Sequence, residues 1–198
     1  MEAIETVTYK GVEINVYYDE DPQSPNDWEN DDNFLVYDHR DFCVERKGFD
    51  PSDINELICE SKKLFYDGYY VFPVYAYIHS GVSLSLSGGT CQWDTSMMGF
   101  VLCRKEKGTW TREKARKRAS GLIDTWNEYL SGEIYGYDSE AGSCWGFYGD
   151  EGKAEMIKEA KNEVDCWIRE KAKKFLAKKK VELQHRIPLE KRTTFCMA

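Results

Sequence analysis

The sequence has no run of about 18 apolar residues, the minimum for a helix that crosses a bilayer, so no membrane-spanning helix is expected. Its first residues, MEAIETVTYKG, have neither a basic n-region nor an apolar h-region, and no secretory signal is expected from them. Seven cysteines are present (Cys43, Cys59, Cys91, Cys103, Cys144, Cys166 and Cys196), but no two are separated by only two residues. That spacing excludes zinc-ribbon and thioredoxin-type signatures. An odd number of thiols without a secretory signal fits a reducing, cytoplasmic setting with free cysteines, mostly buried as small hydrophobes. Histidine is scarce: three residues, far apart, argue against a histidine-rich metal site. No Gly-x-Gly-x-x-Gly joins a strand to a helix, so a dinucleotide fold is disfavoured and no cofactor is expected. Internal repeats and long linkers are also missing.

What is present is charge, unevenly spread over 198 residues of net charge -8. Residues 1–100 hold 19 acidic and 6 basic side chains, net -13, while residues 101–198 hold 16 acidic and 21 basic, net +5. The two halves are expected to present opposite potentials unless the fold mixes them.

The hydrophobic pattern predicts an α+β fold, a mostly antiparallel sheet with about three helices packed on it and a long C-terminal helix. Residues 4–18 alternate around Lys10-Gly11 as a β-hairpin, with Val7 and Tyr9 before the turn and Val12, Ile14 and Val16 after it. Residues 19–33, DEDPQSPNDWENDDN, have seven acidic side chains, two prolines and no periodicity, and are expected to form a loop. FLVYDH (34–39) reads as a strand. A helix is predicted from Asp50, a cap, followed by Pro51 at the first helical position and Asp53 at the positive helix end. Strands follow over 69–80, 81–87 and 97–106, and Pro73 demands an edge or a bulge in the first of these. A helix is predicted over 111–130, with Arg112, Lys114, Arg116, Lys117 and Arg118 crowding its first turns against the macrodipole. Residues 133–149 read as a second hairpin, and a helix as running from about 153 to 183. A single domain is expected over 1–185, with a tail over 186–198.

Three places invite a functional reading. His79, Cys91 and Asp94, with Ser80 as an alternative nucleophile, are the residue types of a thiol or hydroxyl hydrolase or transferase. The competing reading makes His79 a strand end, Asp94 an Asx turn and Cys91 a buried thiol. The acidic loop, with Asp19, Glu20, Asp21, Asp27, Glu29, Asp31 and Asp32, holds oxygens that suit a divalent cation, but it lacks the glycine and the bidentate glutamate of an EF-hand, and no metal is assigned. Spaced carboxylates also imitate phosphates and fit a basic nucleic-acid groove of another protein. The third place is residues 171–180, with six lysines (Lys171, Lys173, Lys174, Lys178, Lys179 and Lys180). Net charge -8 and the absence of a nucleic-acid motif make them a solubilising helix end, with no direct nucleic-acid contact expected.

Several segments taken together resemble a family of small uncharacterised proteins encoded by bacteriophages and other mobile elements. They are Pro25-Asn26-Asp27-Trp28, the His39 strand, His79-Ser80-Gly81, Cys91-Gln92-Trp93-Asp94 and Cys144-Trp145-Gly146-Phe147-Tyr148-Gly149, and the similarity spans about residues 12–168. After His39 the chain departs from that pattern, reading RDFCVERKGFD in place of a Leu-Gly-Asp turn. The family has no established activity to carry over. The resemblance implies an accessory protein that works in the cytoplasm of an infected cell by binding a host protein with a basic surface, such as a restriction or CRISPR nuclease. Catalysis by His79 and Asp94 with Cys91 or Ser80 is the alternative expectation.

Overall fold

The computed structural model describes residues 2–28, 32–40, 42–61, 63–78, 81–88, 95–106 and 111–188. Their contacts divide the chain into two compact units, one of residues 1–17, 136–145 and 154–198, the other of residues 18–135 and 146–153. Among the described residues are ten strands in antiparallel sheets and three helices, the last of them long, so the fold is α+β. The strands divide between a four-stranded and a six-stranded sheet.

The first unit begins with the hairpin of β1 (Glu5–Tyr9) and β2 (Val12–Tyr18), in register from Glu5 opposite Val16 to Tyr9 opposite Val12. Both turn residues are left-handed, Lys10 at φ 50° and Gly11 at φ 80°, as a two-residue turn matched to strand twist requires. Alternation then buries Val12, Ile14 and Val16 on one face. Two side chains, one from a strand and one from the hairpin turn, reach the last helix within this unit. Tyr137 donates to Glu163 at 2.6 Å, and Lys10 pairs with Asp165 at 2.6 Å.

The second unit is built on β3 (Asn33–His39), β4 (Phe42–Val44), α1 (Pro51–Ser61), β5 (Phe65–Tyr66), β6 (Tyr69–Ile78), β7 (Val82–Ser85), β8 (Thr95–Arg104) and α2 (Arg112–Ser131). Its sheet runs β4-β3-β8-β6-β5, and β7 also pairs with β6. Both faces are covered. Leu35, Tyr37, Val74, Val101 and Cys103 pack with Ala115, Ala119, Ile123 and Trp126 of α2. Phe34, Val36, Val71, Phe100 and Leu102 pack on the other face with Ile54 of α1. Burial on both sides is why Phe34 to Tyr37 read as an unbroken apolar run rather than an alternation.

Pro73 finds its place in a gap. On one side β6 pairs along β8, with a bulge at Val74/Tyr75. On its other side β5 takes Tyr69 and Tyr70 and β7 takes Tyr75 to Ile78, so Pro73 stands where neither short partner strand reaches. The outer edge of β7 meets Asn127, whose side chain accepts from the Leu84 N–H at 2.7 Å and donates to the Leu84 carbonyl at 3.0 Å.

Helix α2 starts at the cap Thr111, whose hydroxyl accepts from the Lys114 N–H, and stops at Gly132 in the left-handed region. The chain continues through β9 (Ile134–Ser139) and β10 (Gly142–Tyr148), which complete the sheet order β1-β2-β9-β10, into α3 (Gly149–Arg186). Helix α3 starts earlier than its apolar stripe predicts, because Asp150 and Glu151 occupy a first turn that favours carboxylates. Among the described residues no helix is long and apolar enough to cross a membrane.

Candidate binding surface

The described part of the acidic segment after β2, residues 19–28, is a loop, and its backbone is held at several points. Asp19 donates its N–H to the Ile134 carbonyl at 2.8 Å and accepts from the Asp21 N–H at 3.2 Å. Ser24 accepts from Asn26 and Asp27, making a turn. Asn26 then bonds both backbone groups of Leu35, accepting from its N–H at 3.2 Å and donating to its carbonyl at 2.7 Å. Trp28 stands edge-on to Tyr148 at a centroid distance of 5.0 Å, and the Tyr148 hydroxyl donates to the Gln23 carbonyl. Burial pushes that hydroxyl up to about 12, with Tyr129, Asp19 and Asp27 adding to the shift.

On this fixed backbone Glu20, Asp21 and Asp27 are exposed and Asp19 is half-buried. None of the four makes an ion pair among the described residues. Asp32 differs: it pairs with Arg104 at 3.6 Å, and its carbonyl accepts from the Arg104 N–H. Glu29 and Asp31 lie outside the described residues.

The fold gathers more carboxylates from the second half of the chain. The Gly149 N–H donates to the Glu133 carbonyl at 2.8 Å, which sets the first turn of α3 beside the end of α2. Glu128 lies against Gly149, so close that a Cβ there would stand 2.2 Å from its Oε1. Burial raises the Glu128 carboxyl above its ordinary range, and Asp124, Glu133, Glu151 and Asp150 raise it further. The charge tally by halves therefore misleads at this point. Glu128, Glu133, Asp150 and Glu151 come from the basic half, yet they lie in the same unit as the acidic loop, where the backbone of Asp19 bonds to Ile134, next to Glu133. No local pattern in the sequence marks them as a group.

In the segment CWGFYG the five residues after Cys144 each have a structural place. Trp145 covers Gly136, where a Cβ would stand 2.1 Å from its ring, and Gly146 and Gly149 take left-handed φ values of 85° and 64°. Phe147 packs its backbone against Gly152, and Tyr148 holds the loop. These are structural duties, and one of them serves the acidic surface directly.

His79, Ser80, Cys91 and Asp94, the residues expected for catalysis, lie outside the described residues, as does Cys196. Against the expectation of mostly buried thiols, Cys43, Cys59 and Cys166 are exposed and Cys144 is half-buried; of the described cysteines Cys103 is buried, and that burial pushes it up to about 12. Cys43 borders a cleft of about 630 Å3 with Arg46, Phe49 and Asp50, and burial with the charges of Asp38 and Glu45 raises its thiol as well. Neither is a ready thiolate nucleophile. Among the described residues no three His, Cys, Asp or Glu side chains are grouped to hold a metal ion. The lysine-rich stretch of α3 is exposed and tied by local pairs, Lys173 with Glu170 at 3.0 Å and Lys179 with Glu182 at 2.6 Å. The chain matches no family model, no curated protein and no solved structure.

Proposed function

We propose that this chain is a binding protein of bacteriophage or mobile-element type whose acidic surface docks on a basic surface of a host protein, a restriction or CRISPR nuclease being the kind of target it suits. The observation behind this reading is the state of the carboxylates. Asp19, Glu20, Asp21 and Asp27 make no ion pair among the described residues and sit on a backbone held by Asn26 and Tyr148, in the same unit as Glu128 and its acidic neighbours. Like charges held near one another destabilise a lone protein, and a cationic partner lowers that cost on binding. A held loop also loses little freedom when it docks, so more of the electrostatic attraction appears as affinity. Carboxylates projected from a fixed backbone imitate a run of phosphates, the ligand for which a nuclease groove is built.

The test is capture of partners from host lysate, then binding of the captured protein across a salt series. Asp19→Asn, Asp21→Asn and Asp27→Asn combined should slow association by roughly an order of magnitude and flatten its salt dependence. For a nuclease partner, DNA and this protein should compete. Unchanged, salt-insensitive association of the triple variant would overturn the reading.

A further inference from the structure

A feature of the opposite sign lies on the β5–β6 hairpin. A pocket of about 450 Å3, the scale of a small-molecule site, is lined by Lys63, Leu64, Phe65, Tyr70, Lys105 and Arg112. Among these described lining residues three are cations and none is a carboxylate. No ion pair is made by Lys63, Lys105 or Arg112 among the described residues. In a chain of net charge -8, three uncompensated cations around one opening are out of keeping with their surroundings.

The pocket stands on a fixed platform. Asp67 and Gly68 form a left-handed two-residue turn at φ 44° and 84°, and the strands pair Phe65 with Tyr70 and Tyr66 with Tyr69. The Lys105 N–H donates to the Gly68 carbonyl at 2.9 Å, and the Val71 N–H to the Leu64 carbonyl at 3.2 Å. Arg112 opens α2, and its guanidinium carbon lies over the buried ring of Phe72 at 5.5 Å, which positions the charged head at the opening. Its position against the macrodipole costs a little helix stability, a cost that a bound anion would offset.

The apolar wall defines the rest of the ligand. Phe65 is 42% exposed although it is a large hydrophobe, and it meets Tyr70 edge-on at 5.7 Å. Lys105 Nζ lies 5.8 Å from its ring centroid. An exposed aromatic ring beside cations suits a ligand that has a flat ring at one end and several negative charges at the other. We propose that this pocket binds a nucleoside phosphate, with the phosphates among Lys63, Lys105 and Arg112 and the base on Phe65. The site shares no residue with the acidic surface and is independent of what that surface binds.

The experiment is a titration of the isotopically labelled full chain with ADP, tripolyphosphate and adenosine, followed by amide shifts and calorimetry. ADP should move amides of residues 63–70, 104–106 and 112–115 and bind more tightly than either of the others. Lys105→Gln and Arg112→Gln should each weaken ADP by roughly tenfold, the worth of one charge-assisted contact. Phe65→Ala should weaken ADP but leave tripolyphosphate unchanged, and unchanged urea midpoints would show that all three variants remain folded. Absence of shifts at millimolar ADP, or shifts confined to other residues, would overturn the proposal. So would equal binding of ADP and tripolyphosphate with no effect of Phe65→Ala, or binding of a short single-stranded oligonucleotide without binding of ADP.

Discussion

The side-chain amide of Asn26 bonds both backbone groups of Leu35, donating at 2.7 Å and accepting at 3.2 Å. β4 pairs with β3 only from Tyr37 to His39, so Asn26 takes the place of a strand at the edge that β4 does not reach. Asn26→Ala should therefore destabilise the chain by about 1–3 kcal/mol, because it leaves two buried backbone groups unmet. Urea denaturation measures the loss, and hydrogen exchange at the Leu35 amide should accelerate more than at Val101 opposite it. Equal exchange at both would place the effect elsewhere.

Glu128 gives a pH dependence of definite sign. Burial first, and then Asp124, Glu133, Glu151 and Asp150, raise its carboxyl, so the folded chain holds that proton more tightly than the unfolded chain does. The stability from this group is complete below the unfolded value and is lost as pH rises through the folded one. Glu128→Gln should thus melt at a higher temperature than the parent at neutral pH, with the difference closing below about pH 4. A variant less stable than its parent at pH 7 would contradict this account.

Trp145 and Gly136 fit only together. A Cβ on Gly136 would stand 2.1 Å from Cε3 of the indole, so Gly136→Ala must drive the ring off. Overpacking of this kind costs about 1–3 kcal/mol. The indole N–H resonance of Trp145 should move, and its contact with Tyr17, now 6.0 Å between centroids, should be lost from nuclear Overhauser spectra.

Tyr37 is fully buried, and its hydroxyl has no hydrogen-bond partner among the described residues. Burial also raises the hydroxyl's pKa. Tyr37→Phe keeps the ring against Phe42 and removes only the unmet oxygen, so it should stabilise the fold by about 1 kcal/mol. A lowered urea midpoint would show instead that the hydroxyl is satisfied in solution.

The local elements were legible in the sequence because their signals are local. Alternation around Lys10-Gly11 and the Asp50-Pro51 cap define a hairpin and a helix start without reference to the rest of the chain. Which strands pair across long separations is another matter. β3 lies against β8 and β2 shares a sheet with β9, and no period in either strand encodes its neighbour. β5, with two residues, and β4, with three, are too short for any pattern. The candidate surface was half legible. The run from Asp19 to Asp32 stands out as composition, whereas Glu128, Glu133, Asp150 and Glu151 join it only through the turn at Gly132 and the contact of Gly149 with Glu133. The importance of Asn26 lay in one bond pair nine residues away, which composition does not record.

Asn127 has a consequence beyond the single molecule. β7, of alternating apolar residues and serines, pairs among the described residues with β6 alone, and a free outer edge of that kind is a template for the same strand in another copy. The Asn127 amide occupies both backbone groups of Leu84 in the middle of that edge. Crowded copies of the chain therefore meet a blocked edge instead of a growing sheet, and the side chain that does this comes from a helix that cannot itself be extended by a newcomer.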